Sequence, residues 1–229
     1  MRIATKWVAA GGVCTAVTRT QKRHEEIKAL GAHPLCAADV HMIQDGPIVI
    51  ATPGAANQRI AVEQLAAMAT PSRAVLCNST ACFKSESPQR QQAALALEDV
   101  FFEWMGTRGT SLRLGGLFRK GRGPAASLQK GRKPPVAPAR RVLPLIHYDD
   151  AASAVFNALT AAHVDPWYTL SVWPMPTREA FYQLAGQGTG IKIDFEHWEA
   201  CALPNYEVKR LKDAILPSFA YPDWRSATE

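Results

Sequence analysis

The sequence predicts an α/β chain built on a mostly parallel sheet, and three observations carry that expectation. Short apolar runs alternate with helical patterns through the first two thirds, as βαβ units require. Residues 47–52 (PIVIAT) form a continuous apolar run ended by Pro53-Gly54, the pattern of a strand buried on both faces. The chain also opens on a helix rather than a strand: residues 3–10 place Ile3, Ala4, Trp7 and Val8 on one face, and Gly11-Gly12 stop it.

The elements follow in order. Residues 13–20 (VCTAVTRT) read as a strand, 21–30 as a short helix closed by Gly31, and 32–37 as a second strand. After the strand at 47–52 comes a helix over 57–70, with Ala61, Leu65 and Met68 along one side, then a strand over 73–79. The clearest helix spans 88–105. Ser87 is placed to cap it, Pro88 opens it, and Ala94, Leu97, Phe101 and Trp104 form its apolar stripe, with Glu98, Asp99 and Glu103 off that stripe.

Residues 110–118 (TSLRLGGLF) return to strand, and the Pro/Lys/Arg-rich stretch 119–141 reads as a loop around one short helix. A helix over 149–163, capped by Asp149 or Asp150, turns Ala152, Val155, Phe156 and Leu159 inward. A strand (168–172), a helix capped by Thr177 and closed near Gly186, and a strand (190–195) come next. Residues 204–229 form a small lobe.

Composition narrows the function. The 229 residues are 47% hydrophobic and 20% charged, which excludes wholesale disorder and suits one large domain with an appendage. No apolar run approaches the roughly 18–20 residues of a membrane helix, and no signal peptide is visible, so a cytoplasmic protein is expected. Cys14, Cys36, Cys77, Cys82 and Cys201 are odd in number and lack C-x-x-C spacing, which argues for reduced thiols and against structural zinc.

The net charge of +6 is local in origin. Between Trp104 and Tyr148 there are ten Lys and Arg and no Asp or Glu, while the rest of the chain carries more acids than bases. Such a field suits a small anion, or is a solvated basic loop. Few aromatics interleave it, so nucleic acid is a poor fit.

The segment IATKWVAAGGVCTAVTRTQKRHEEIKALGAHPLCAAD resembles the first helix, second strand, second helix and third strand of an atypical extended short-chain dehydrogenase/reductase. This group is NAD(P)-binding and nucleoside-diphosphate-sugar epimerase/dehydratase-like. AVLCNSTACF resembles its fifth-strand segment, which carries a Ser-Ser/Thr pair. LRLGGLFRKGRGP is similar to its sixth strand and substrate loop, and IHYDDAASAVFNAL to its histidine-Val-Asp-Asp helix start. YTLSVWPMPTREAFYQLA and NYEVKRLKDAILPSFAYPDW resemble its closing region.

The resemblance implies a Rossmann-like sheet, with residues 1–118 as the dinucleotide-binding part and 119–229 as a substrate-binding region interleaved with it. It lacks the first strand and its glycine turn, the parts that hold a dinucleotide's pyrophosphate against free backbone N–H groups. In the family's sheet that strand lies between the second and fourth, so their facing edges should be unpaired. The sequence is therefore expected to begin late, with the strand and turn encoded upstream.

The same resemblance implies the site. Arg19 and Thr20, after the second strand, would face the adenosine ribose. An Arg there favours a 2′-phosphate, hence NADP over NAD, or is a surface arginine. Asp39 matches an adenine-contacting Asp or a turn-forming one, and Ala51 and Thr52 lie where the cofactor would cross the sheet edge. Ser79 and Thr80 stand at the catalytic hydroxyl position, and Gly116, Arg119 and Arg122 in the substrate loop.

The proton-transferring Tyr-x-x-x-Lys pair should fall eight and four residues before Glu98, where Arg90 and Ala94 stand instead. Arginine is a poor acid or base near neutrality and alanine cannot titrate. Gly121-x-Gly123-x-x-Ala126 copies the letters of a dinucleotide fingerprint, but crowding bases and Pro124 make it a substrate-loop turn. Cys77 and Cys82 read as packed thiols. His147 with Asp149-Asp150 reads as a helix cap rather than a catalytic dyad.

The expected function is thus an NAD(P)-binding epimerase/dehydratase- or reductase-like protein, acting on a sugar-nucleotide-type anion with impaired catalysis. The alternative is a non-catalytic regulatory module that binds a dinucleotide or anion. A homodimer is compatible with either.

Overall fold

The computed structural model describes residues 1–43, 46–83, 88–134, 136–196 and 208–228. Every strand pair among them is parallel. The centre is a four-stranded sheet of β3 (Ile48–Ile50), β4 (Ala74–Ser79), β5 (Gly109–Leu114) and β8 (Trp167–Leu170), in the spatial order β3-β4-β5-β8. β4 meets β5 over its full length, Ala74 opposite Gly109 through Ser79 opposite Leu114.

Helices cover both faces. On one, α3 (Ala55–Ala66) and α4 (Pro88–Met105) bury Val62, Leu65, Leu97, Phe101 and Met105 against Ile50, Ala74 and Leu76. On the other, α6 (Tyr148–Thr160) and the residues around α8 (Val208–Ala214) bury Val155, Ala158, Leu211 and Ile215 against Val75, Leu112 and Leu170. Successive β4 residues therefore enter different cores, which follows from the period-2 alternation of strand side chains.

β1 (Thr15–Thr18) and β2 (His33–Cys36) form a separate parallel pair, joined by a 3-10 turn and α2 (His24–Lys28). Among the described residues this pair is hydrogen-bonded to no strand of the four-stranded sheet. Val40 and Ile43, beyond β2, pack on the core of Ile50 and Val62 and tie this pair to the body. α1 (Arg2–Ala9) lies on α6, with Ile3 in its core, Trp7 edge-on to Phe156 at 5.9 Å, and an Arg2–Asp149 ion pair.

A third sheet pairs β6 (Gly116–Phe118) with β7 (Leu145–His147). With α5 (Pro124–Gln129) and α7 (Arg178–Ala185) it encloses the lobe core of Phe118, Leu128, Leu145, Phe181 and Tyr182.

Several sequence expectations are corrected. The run 110–118 is two strands, not one. At Gly115 the chain leaves the central sheet, passing so close to Pro144 that a Cβ would sit 2.8 Å from its carbonyl. Residues 190–195 form no strand, because only Glu196 pairs there, with Pro138. Residues 47–52 shorten to β3, with Ile48 and Val49 half-buried, since β3 has a neighbour on one side only.

Met68 lies beyond α3 and is 45% exposed. The buried face of α3 is Gln58, Val62 and Leu65. The cap of α6 is His147, whose Nδ1 accepts from the Asp149 amide at 3.2 Å, rather than either aspartate. Glu98 is not off the buried face of α4 but 4% exposed, because Arg113 and Ser111 of β5 supply its partners. The Ser87 cap and Cys201 lie outside the described residues.

Candidate functional site

In a parallel sheet, ligands lie beyond the carboxyl ends of the strands, where side chains are not occupied in pairing. Most of the sequence candidates stand at such ends. Arg19 and Thr20 follow β1 and are exposed. Asp39 follows β2 in the 3-10 segment Ala37–Met42 and is exposed. Ala51 and Thr52 follow β3, while Ser79 ends β4 and Thr80 comes directly after it. Gly116 opens β6 with its α-hydrogen face against Leu145, 3.2 Å from where a Cβ would stand.

Ser79 and Thr80 have little chemical support. The Ser79 Oγ accepts from the Ala81 amide at 3.2 Å, so it caps the short turn Thr80–Cys82. Among the described residues no carboxylate, imidazole or amine bonds either hydroxyl. Ala94, at the family's lysine position, is buried, and its carbonyl accepts from the Asn78 side chain at 3.0 Å. Arg90 is exposed on the first turn of α4. Burial pushes the Cys77 and Cys82 thiols up to about 12, so both are protonated near neutrality and poor nucleophiles.

Between α4 and β5 lies a buried ion pair that sequence reasoning missed. Glu98 accepts from the Ser111 hydroxyl at 2.6 Å and from two Arg113 nitrogens at 3.0 and 2.7 Å. Burial alone would raise its carboxyl; the hydrogen bonds of Arg113 and Ser111 outweigh it and hold the group below its ordinary value. Arg113 in turn lies against the Trp167 ring at 4.2 Å and Phe83 at 5.1 Å. The signal available was Arg113 inside an otherwise apolar strand, since a buried cation needs a partner.

The His147 neighbourhood is closed from above. Tyr221 stacks on the imidazole at 3.6 Å, and both Asp150 carboxylate oxygens accept backbone amides, from Ala220 at 2.7 Å and Tyr221 at 3.1 Å. Burial holds the His147 pKa below its ordinary value, against the pull of Asp149 and Asp150. The imidazole is a structural cap.

The substrate-loop arginines do converge. Arg119 and Arg122 close a tight turn, each amide bonding the other's carbonyl at 3.0 and 2.9 Å, with Gly121 at φ 69 supplying the left-handed residue. Their guanidinium carbons lie 5.8 and 5.5 Å from the centre of the Tyr148 ring. Arg2, from the first helix, joins them at 5.7 Å.

No protein-family model matches the sequence, and no curated protein matches it either. Solved structures do match in shape. The human epimerase family protein SDR39U1, solved with NADPH, gives a TM-score of 0.67 at 16% identity, covering 99% of this chain and 92% of that one. A nucleoside-diphosphate-sugar epimerase from Pseudomonas aeruginosa gives 0.71 at 13% identity, covering 99% and 90%. The Bordetella bronchiseptica enzyme WbmG, solved with NAD and UDP, gives 0.71 at 12% identity, covering 99% and 87%. The fold is that of the NAD(P)-binding epimerases.

In that fold, exposed polar side chains at the β1–β2 end could hold part of a nicotinamide dinucleotide. Arg19, exposed and without a carboxylate partner among the described residues, can meet a 2′-phosphate, and Asp39 can accept from an adenine amine. The pyrophosphate requires backbone N–H groups in a glycine turn between strand and helix. Hydride transfer is not assigned to the described residues.

Proposed function

We propose that this epimerase-fold chain binds nucleotide-type anions, NADP-like at the β1–β2 end and sugar-nucleotide-like at the substrate loop, with catalysis impaired. One observation supports it above the others: the edge carries the exposed arginines Arg19, Arg119 and Arg122, while among the described residues Ser79 and Thr80 have no titratable partner. Neighbours in shape were solved with NADPH, NAD and UDP, or UDP-glucose, which supports that ligand class. Thr20, Asp39, Ala51 and Thr52 would line the adenosine side, and Gly116 would let a ligand approach the backbone of β6.

Residues at Arg90 and Ala94 cannot relay a proton, so general acid–base assistance, ordinarily about 10²–10⁴-fold, is missing. Calorimetry with NADPH and NADH, paired with absorbance at the NADPH band over a panel of sugar nucleotides, tests both halves. The expected result is weak binding, tighter for NADPH, with negligible turnover. Turnover at about 1–10³ s⁻¹ overturns the impairment. Binding with no turnover under any condition favours the purely regulatory module, because the Ser79 hydroxyl is already committed to its turn.

A further inference from the structure

We infer that Arg2, Arg119 and Arg122 form a single diphosphate-binding site around the Tyr148 ring, joining the first helix to the substrate loop. The guanidiniums come from places more than a hundred residues apart in sequence, yet lie 5.7, 5.8 and 5.5 Å from one ring centre. Like charges gathered this way repel unless something offsets them. Arg2 has the Asp149 carboxylate; Arg119 and Arg122 have no carboxylate partner among the described residues. The remaining nearby acid, Asp150, is occupied by the Ala220 and Tyr221 amides.

The site is also pre-shaped. The reciprocal amide bonds of the Arg119–Arg122 turn fix both side-chain roots. Arg122 is followed by Gly123, where a Cβ would press on Phe118 at 3.0 Å, so the turn is held against the lobe core. Tyr148 stands where the resembled helix start carries Val, and its ring is the common neighbour of the three guanidiniums. Planar forked donors on a fixed platform match paired phosphoryl groups, whose oxygens accept bidentate bonds.

The ligand chemistry, a diphosphate, rests on the proposed nucleotide reading only for its source, a sugar nucleotide or a free pyrophosphate. Calorimetry with inorganic pyrophosphate and with UDP-glucose separates these, on the full chain and on R119A/R122A, Arg2→Lys and the control R132A/K133A. Thermal melts confirm that each variant folds.

The expected result is saturable pyrophosphate binding, weakened tenfold or more in R119A/R122A, several-fold in Arg2→Lys, and unchanged in the control. No saturable pyrophosphate binding, equal loss in the control, or full binding by R119A/R122A overturns the site. Pyrophosphate binding without UDP-glucose binding keeps the site and refutes the sugar-nucleotide reading. UDP-glucose binding undiminished in R119A/R122A does the reverse.

Discussion

The two halves of the sheet differ in kind. The β3-β4-β5-β8 half is covered on both faces, and Val75, Leu76 and Leu112 are fully buried. The β1-β2 half is a two-stranded ribbon with no fully buried residue: β1 alternates exposed and half-buried positions, with Val17 42% exposed, and β2 is half-buried after His33. An isolated pair of strands is marginal in water, because each strand satisfies only one edge and little apolar area is removed from solvent. The same fold thus holds a rigid platform beside a weakly supported edge, and the adenosine-side candidates Arg19 and Asp39 sit on the weaker part.

The sharpest way to break this comparison is the buried pair in the rigid half. Glu98→Ala leaves Arg113, whose side chain is 12% exposed, without its partner, and is expected to cost about 3–5 kcal/mol by urea denaturation. The exposed Arg23–Glu26 pair of the ribbon should show no resolvable change when Glu26 becomes Ala. Equal effects would deny the difference between the halves.

Apolar truncation gives the next largest contrast. Leu112→Ala empties a fully buried position and should cost about 2–5 kcal/mol, whereas Val17→Ala should stay within about 0.5 kcal/mol. Hydrogen exchange sharpens the point without mutation. Amides of β4 and β5 should exchange only through global opening, and those of β1 and β2 far sooner through local opening.

The smallest effect is a pH dependence at the lobe. His147 is held below its ordinary value of 6.5 by burial, so the unfolded chain binds its proton first as pH falls. The stabilisation is complete above about pH 6.5 and declines below it. His147→Gln should flatten thermal stability across that window, and an unchanged slope would assign the acid loss elsewhere.

Local periodicity was enough for most elements. The Pro88–Met105 helix is read to the residue, since Pro88 starts it and the apolar stripe continues to its end. Gly11, at φ 83, closes the first helix as the glycine pair suggests. Thr177 caps the Arg178–Ala185 helix through the Ala180 amide, as its residue type implies. The arginines of the loop were visible as a charge run.

What the pattern missed depends on contacts across distance. Glu98 looked exposed because its helix face is polar by sequence; only Arg113 and Ser111 on a neighbouring strand make burial tolerable. His147 rather than an aspartate caps its helix because Asp150 is turned toward the 220–221 backbone. Nothing near Arg2 in sequence points to Tyr148, 146 residues on.

The amino-acid order by itself determined the alternation of strands and helices and the parallel sheet, because each is a property of residues close together in the chain. The tertiary structure alone decided which acid is buried and which three arginines share one ring. Those are outcomes of desolvation and charge pairing between distant segments, and no local pattern encodes them.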